Sequence, residues 1–153
     1  MQFPVSIPFV DHLGFELIRF DGGEAEIHVE LKPELLHSFL VAHGGLSMTL
    51  LDVVMAHAAR SVQHESGAVT IEMKTSFFRP GEGRLRAVGK LLHRSATMAF
   101  TEGHVYGADG LLCAHATGTF KYVKRLPAAG REIKSLQRRE DRPHPPLQTD
   151  PPH

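Results

Sequence analysis

A mostly apolar run from Gly45 to about His64 constrains this chain more than any other segment. It contains no proline, stops near Gly67 and is too long for an ordinary strand, so we predict a helix. Its apolar residues cover most of the helix circumference, which is typical of a helix enclosed by other structure. They include Leu46, Leu50, Leu51, Val53, Val54, Met55, Ala58 and Ala59.

A single carboxylate, Asp52, lies inside this run. On an enclosed helix a carboxylate must be paired, hydrogen-bonded or raised in pKa, and a perturbed carboxylate in a cleft is a candidate functional group. The alternative is a buried aspartate that is satisfied by its neighbours and has only a structural role. The sequence leaves both interpretations open.

Two glycines, Gly44 and Gly45, follow His43 at the expected start of the helix. Their backbone N–H groups would lack partners there, and no side chain would hinder a ligand, so this turn suits a developing oxyanion. Asp52 falls about two and a half turns further along the helix. We hypothesise that two copies of the chain pack their helices side by side, so that Asp52 of one faces the glycine turn of the other.

The segments around the helix have the alternating and β-branched composition of strands. Two are joined by a glycine turn at residues 21–23, and the others follow the helix as a predicted meander of four strands with turns near Arg94 and at Asp109. We therefore predict an α+β fold, in which one long central helix is wrapped by a curved antiparallel sheet of about six strands. The predicted strands are residues 15–20, 24–32, 68–80 and 83–95, and two more within 96–123.

Length and proline content divide the chain into one domain and a tail. Of 153 residues, the first 125 form the predicted domain. Residues 126–153 hold six of the ten prolines, so we predict a mobile tail, with a short helix over 131–141 as one option. The connection at 34–42 is unusually apolar, and we expect it to line a pocket or to pack over other residues.

Composition argues against several functional classes. The net charge is zero, so nucleic acid and anionic membranes are not expected as partners. We predict a soluble cytoplasmic protein because no signal peptide or membrane-spanning run is evident. Cys113 is interpreted as a small core residue, and the absence of HExxH, CxxC and phosphate-loop motifs predicts no metal and no cofactor.

The motif HGGLSMTLLD, with VTIEMKTSFFRPG and GLLCAHATGTF after it, resembles the hotdog-fold acyl-CoA thioesterases, most closely their phenylacetyl-CoA (PaaI-like) branch. The resemblance covers residues 8 to 123. It implies a hotdog fold, an acyl-CoA substrate, and homodimers with active sites at the subunit interface. The dimers of this family often pair again into homotetramers.

The resemblance also implies roles for single residues. Asp52 matches the catalytic carboxylate, acting as general base or as nucleophile, and Gly44 matches the backbone N–H that polarises the thioester carbonyl. His43 would shape that turn and hydrogen-bond the carbonyl side of the substrate. Thr70 falls where related enzymes carry a hydroxyl that positions water.

One position departs from the family pattern. His37 stands where related enzymes usually have an asparagine that orients substrate or water. An imidazole can donate and accept hydrogen bonds, so it could keep that role or make the site pH-dependent, and it could equally be an ordinary loop histidine. The departure leaves open a second function, a carrier or sensor that binds acyl-CoA without hydrolysing it. A hotdog hydratase is a third option, but its motif is not seen.

Substrate contacts are predicted from position alone. Arg79 and Arg94 lie by turns at strand ends and are candidates for the phosphates of coenzyme A, although surface arginines are common at such places. The remaining candidates are Gly45 at the helix start and the apolar residues expected to line an acyl chamber, namely Leu40, Val41, Leu50 and Val54.

Overall fold

The computed structural model describes residues 1–124, 126–128, 131–133 and 139–141 of the chain. It confirms the predicted α+β architecture, with one long helix packed against a curved antiparallel sheet of six strands. In chain order the helices and strands are α1 (Pro8–Leu13), β1 (Glu16–Asp21), β2 (Glu24–Glu30), a 3-10 turn (Pro33–Leu35), α2 (Gly44–Arg60), β3 (Gly67–Phe77), β4 (Arg84–Arg94), β5 (Met98–Tyr106), β6 (Leu112–Val123), β7 (Leu126–Ala128), β8 (Arg131–Ile133) and a second 3-10 turn (Arg139–Asp141).

The long helix α2 ends at Arg60, four residues before the predicted end. Side chains at its C-terminus form hydrogen bonds that end the helix instead of extending it. The Ser61 hydroxyl donates to the Ala58 carbonyl at 2.7 Å, and the buried Arg60 guanidinium donates through Nε to the Ser66 carbonyl at 2.9 Å. These hydrogen bonds satisfy groups at the end of the helix and turn the chain toward β3.

The strand order in the large sheet is β1-β2-β4-β5-β6-β3. The predicted meander of four strands is therefore wrong for its first member, because β3 pairs with β6 and not with β4. The chain crosses from one part of the sheet to another between Phe77 and Arg84, while β4, β5 and β6 follow one another as predicted. As a result β3 is an edge strand of eleven residues.

The core lies between α2 and the concave face of the sheet. The β2 strand alternates as predicted, with Ala25, Ile27 and Val29 buried against the helix. Most α2 side chains are buried, including Leu50, Leu51, Val54 and Met55, which are fully inaccessible. Within the described residues, no helix is long and apolar enough to cross a membrane.

The C-terminal tail is described only in part. Leu126–Ala128 and Arg131–Ile133 pair as a two-stranded antiparallel sheet, so the helix considered for residues 131–141 is wrong at its first three positions. Further on, Arg139 donates to the Asp11 carboxylate at 2.6 Å. The predicted mobility of the tail falls largely on residues outside the described ranges.

His57 is the one ionisable side chain of α2 with a strong pKa shift toward the neutral form. It is 2 % exposed, its Nδ1 donates to the Val53 carbonyl at 2.8 Å, and its ring lies edge-on to Phe3 and Phe20. Its Nε2 has no hydrogen-bond partner among the described residues. Burial lowers the pKa of His57 from 6.5 to about 4, so the folded protein holds this imidazole neutral.

We expect this histidine to make the folded protein less stable as the pH is lowered. Between pH 6.5 and 4 the unfolded chain binds a proton at His57 that the folded chain does not bind, so acid favours unfolding. The contribution to the free energy of unfolding should drop by about 2 kcal/mol between pH 7 and pH 5. Urea denaturation of the wild type and of His57→Leu at both pH values measures it.

The comparison is the pH-dependent difference within each protein, so a lower overall stability of the variant does not affect it. In His57→Leu, the drop in the free energy of unfolding between pH 7 and pH 5 should be smaller than in the wild type by about 2 kcal/mol. A matched change at an exposed histidine on α1, His12→Leu, should not reproduce this loss. Equal pH dependence in wild type and His57→Leu would contradict the assignment.

Candidate active site

The start of α2 is capped by the side chain of the residue before it. His43 is the N-cap, and its Nδ1 accepts the Gly45 N–H at 2.9 Å. The prediction that both glycine N–H groups are unpaired is therefore wrong for Gly45. Gly44, the first residue of the helix, donates its N–H to no other described residue. One backbone donor thus remains available to a ligand at the positive end of the helix dipole.

A cavity of about 510 Å³ opens beside Gly44, and we call it the helix-start cavity. Its wall comes from the 37–47 segment, from the end of β3 and the loop after it, and from β6. Most of this lining is apolar, and the volume is that of an ordinary small-molecule site. The lining residues are His37, Phe39, Val41, Ala42, Gly44, Ser47, Phe77, Phe78, Arg79, Pro80, Gly81, Cys113 and Ala114.

His37 lines the helix-start cavity, as expected for the apolar connection before the helix. Its Nδ1 accepts the Phe39 N–H at 2.9 Å, so in the neutral ring the proton is on Nε2. The ring is half-buried and lies edge-on to Phe39. His37 can therefore present one N–H donor near Gly44, which is also what an asparagine amide could offer.

Arg79 and Cys113 also line this cavity. Arg79 Nη1 donates to the Leu112 carbonyl at 3.0 Å, which leaves the other guanidinium donors exposed at the mouth. Cys113 is buried, and this burial raises the pKa of its thiol above the usual range. A thiol held protonated is a poor nucleophile, which supports the interpretation of Cys113 as a core residue.

Asp52 lies on the side of α2 that faces the edge strand β3. Its Oδ1 accepts the Thr70 hydroxyl at 2.6 Å, so the structure brings these two predicted site residues together. The carboxylate is half-buried, and burial raises its pKa above 3.8 while the Thr70 hydrogen bond opposes that rise. Oδ2 makes no hydrogen bond to the described residues, so it is available to a water molecule or a substrate.

Several predicted site residues lie elsewhere. Leu50 and Val54 are fully buried between helix and sheet, so the prediction that they line an acyl chamber is wrong. Leu40 is 76 % exposed at a backbone φ of 60° and does not line the helix-start cavity, whereas Val41 does. Arg94 donates to Gln63 near the C-terminal end of α2, far from Gly44.

His43 and Gly45 face away from the helix-start cavity. Both line a separate groove of about 180 Å³ formed with α1. Because His43 Nδ1 accepts the Gly45 N–H, Nε2 is the ring nitrogen that remains available to a substrate. The structure therefore gives His43 a capping role and does not place it beside Gly44 in the cavity.

The aromatic residues that line the cavity were not among the predicted site residues. Phe77 and Phe78 are more than half exposed, and the Phe77 ring lies against Gly44. Ser47, one turn into α2, is buried on the same wall. The motif SFFRP carried the signal, since two adjacent aromatic residues at a strand end cannot both point into one core.

The two candidate groups lie at different levels of one helix. Eight residues separate Gly44 from Asp52, which corresponds to about 12 Å along the axis. Asp52 does not line the helix-start cavity. A single chain therefore presents an oxyanion-type donor with a cavity at one place and a carboxylate with its hydroxyl partner at another.

The chain as a whole is similar to proteins of a known family. A model of the thioesterase superfamily matches residues 39–114, which include most of the 37–47 segment, all of α2 and β3 to β5. A protein named "Putative esterase SSO2140" from Saccharolobus solfataricus is 32% identical over 114 residues, covering 74% of this chain and 81% of its own. The chain belongs to the thioesterase superfamily.

Solved structures share the fold of this chain. The conserved protein PA5202 from Pseudomonas aeruginosa superposes with a TM-score of 0.74 at 27% identity, covering 78% of this chain and 97% of its own. A mutant of the phenylacetic acid degradation protein PaaI from Thermus thermophilus superposes with a TM-score of 0.69 at 29% identity, over 76% and 100% of the two chains. The predicted hotdog fold and hydrolase class are thereby confirmed.

In this thioesterase-family chain the hydroxyl of Thr70 holds down the pKa of Asp52. Thr70→Val removes the donor and keeps the shape of the side chain, so we expect the pKa of the Asp52 carboxyl to rise further. Carbon-13 NMR titration of the labelled aspartate carboxyls measures this change.

The control is Thr117→Val, which makes the same chemical change at an exposed position of β6. That variant should leave the Asp52 titration unchanged. An unaltered or lowered Asp52 pKa in Thr70→Val would mean that the hydrogen bond does not stabilise the charged carboxylate.

Proposed function

We propose that this protein is an acyl-CoA thioesterase that hydrolyses aryl-acetyl or medium-chain acyl-CoA to the free acid and coenzyme A. The observation that carries this proposal is the hydrogen bond of 2.6 Å between Asp52 and Thr70 of β3. It is joined by the N–H of Gly44, which has no partner among the described residues and lies against Phe77 at the end of the same strand. A thioester carbonyl needs a positioned attacking group and a donor for its oxyanion. These two features can supply both.

The two halves of the site come together if β3 strands pair across a twofold axis. Along β3, Thr70 lies beside Asp52 and Phe77 lies beside Gly44. An antiparallel pairing centred between Met73 and Lys74 sets Thr70 of one chain opposite Phe77 of the other. Gly44 of the partner subunit then lies near Asp52, and each dimer has two complete sites.

The surface of β3 supports this homodimer. No other described strand pairs with its outer edge along its eleven residues, and Ile71, Phe77 and the adjoining Phe78 are each more than half exposed. A long, apolar edge strand is a template for pairing with another strand. An isologous dimer would cover this edge, and further pairing of dimers gives the proposed homotetramer.

In the proposed mechanism Asp52 acts as general base or as nucleophile. As a base, Oδ2 takes a proton from water while the water oxygen bonds to the thioester carbon, and the carbonyl oxygen becomes an oxyanion at the Gly44 N–H of the partner subunit. The C–S bond then breaks, and the thiolate of coenzyme A takes up a proton. Thr70 holds Oδ1 and so orients the carboxylate.

The helix-start cavity is the proposed location of the acyl group. Its aromatic and aliphatic lining suits an aryl-acetyl or medium-chain group, and His37 offers a donor beside the carbonyl. Arg79, exposed at the mouth, is the candidate for a phosphate of coenzyme A. Leu40 and Arg94 are left without a role by the geometry of one chain.

Asp52→Asn should fold normally but lose most hydrolysis. The amide keeps the size of the carboxylate and lacks its basicity, so we expect turnover to fall by about 10² to 10⁴ fold. Because burial already raises the pKa of Asp52, replacing the charge should not lower the melting temperature at neutral pH. Thiol release from phenylacetyl-, benzoyl-, hexanoyl- and palmitoyl-CoA measures the loss and ranks the acyl groups.

Glu72→Gln is the control, because it neutralises an exposed carboxylate on β3, the strand that Asp52 contacts through Thr70. It should retain turnover. Wild-type rates in Asp52→Asn would remove Asp52 from the mechanism. Binding of these esters by the wild type with no thiol release would instead favour the carrier function.

Gly44→Pro tests the backbone donor without adding a new functional group. Proline is favoured at the first position of a helix, and His43 has φ −60° and ψ 136°, which a residue before proline adopts readily. The only hydrogen-bonding group lost is the N–H, so we expect turnover to fall by about 10² to 10³ fold with the fold preserved.

A mixture of the two inactive variants tests whether the site is shared between chains. Asp52→Asn and Gly44→Pro chains are mixed one to one in denaturant and refolded. Half of the dimers are then mixed, and each mixed dimer has one site with neither change, so about a quarter of wild-type activity should return. If the site lies within one chain, no activity returns.

A further inference from the structure

The convex face of the sheet, which does not contact α2, carries a group of metal-ligating side chains outside the proposed active site. Glu102 and His104 lie two residues apart on β5, and His115 is the cross-strand partner of His104 on β6. All three are half-buried. Residues two apart on a strand, and direct cross-strand partners, project from the same face of a sheet.

The atoms of this group that could bind a metal are already close. One carboxylate oxygen of Glu102 and one ring nitrogen each of His104 and His115 lie within 4.8 Å of one another. His115 Nε2 is 3.5 Å from Glu102 Oε2. A tetrahedral ion with bonds of about 2.0 to 2.2 Å needs ligand atoms roughly 3.3 to 3.6 Å apart, so side-chain rotations would have to bring the most distant pair closer by up to about 1.5 Å.

We propose that Glu102, His104 and His115 bind a divalent transition ion of the Zn²⁺ type on the convex face of the sheet. Two imidazoles and one carboxylate form a donor set that suits Zn²⁺, Co²⁺ or Ni²⁺, whereas Mg²⁺ and Ca²⁺ prefer oxygen ligands. Three protein ligands leave a coordination position for water. The ion would cross-link β5 to β6.

The surroundings hold the ligands in place. The His104 ring stacks on Tyr106 with centroids 6.2 Å apart and planes 16° apart, and it lies 4.7 Å from the His115 ring on its other side. Tyr106 is itself covered by the Arg86 guanidinium at 4.6 Å. Rigid supporting contacts of this kind lower the entropy lost when a metal binds.

Charges nearby permit a cation at this point. Lys90 is the cross-strand partner of Glu102 on β4, but its side chain is exposed and can extend into solvent. The other cross-strand neighbour of His104 is Val88 on β4, and that of His115 is Ser76 on β3. Neither is charged. The carboxylate of Glu102 therefore supplies the negative charge that a divalent ion needs.

This site is separate from Asp52 because the sheet lies between them. Asp52 is on α2, which packs on the concave face, whereas the three ligands point from the convex face. The proposal therefore assigns the ion to the stability of the β5 and β6 strands, and it does not depend on the proposed thioesterase mechanism.

The test uses the full chain without an affinity tag, because a histidine tag would bind the same ions. Co²⁺ is titrated into metal-free protein while the visible absorption of four- or five-coordinate Co²⁺ is recorded, and Zn²⁺ is then added to displace it. The wild type should bind one Co²⁺ per chain at this site. His115→Gln and Glu102→Gln should each weaken binding by at least about tenfold.

The matched control is His93→Gln, which changes an exposed histidine on β4 outside the group and should bind as the wild type does. The double variant His144→Gln and His153→Gln removes two histidines of the C-terminal tail and should also leave binding intact. Circular dichroism in chelator checks that each variant is folded. Zn²⁺ should raise the melting temperature of the wild type and of the controls, but not of His115→Gln.

Two results would overturn the proposal. One is the absence of saturable Co²⁺ or Zn²⁺ binding in the wild type. The other is wild-type affinity in folded His115→Gln and Glu102→Gln, which would place the ion on other histidines.

Discussion

The close approach of α2 to the middle of the sheet is the contact on which the rest of this structure depends. Three strands carry glycine under the helix, and a Cβ at Gly89 would lie 2.4 Å from the Val54 carbonyl oxygen. At Gly103 and Gly118 a Cβ would lie 3.1 Å and 2.9 Å from the side chain of Met55. No larger residue fits at Gly89 without moving backbone, so glycine there fixes how deeply the helix sits.

This depth determines where a functional group can be. A helix that is buried along most of its length offers its side chains to the core, so only its first turn and the flank under the edge strand reach solvent. Gly44 occupies the first of these places and Asp52 the second. The fold therefore separates the backbone donor from the carboxylate, and the edge strand β3 is the element that touches both.

The helix and most strands could be predicted because their signals are local, such as the alternation of residues 24–30 that predicted the buried face of β2. The pairing of β3 with β6 could not, since it is set by packing across the whole sheet. For the candidate site, the sequence indicated which residues to consider better than it indicated where their side chains point. When a helix is apolar on all sides, its sequence pattern does not indicate which side faces the sheet. The burial of Leu50 and Val54 between helix and sheet could therefore not be predicted. The use of the Gly45 N–H depends on the orientation of the His43 ring, which no motif encodes.

The Asp52 environment shows why a charged group is kept in so apolar a segment. Burial raises its pKa, and the Thr70 hydroxyl lowers it, so the two effects oppose each other at one carboxylate. Burial makes the carboxylate a better base, and the hydrogen bond favours its ionised form and orients it. In a dimer formed through β3, the partner would cover this flank and exclude more water, which would strengthen the first effect. In the proposed mechanism, the 2.6 Å contact with Thr70 would then favour the charged carboxylate that Asp52 needs as base or nucleophile.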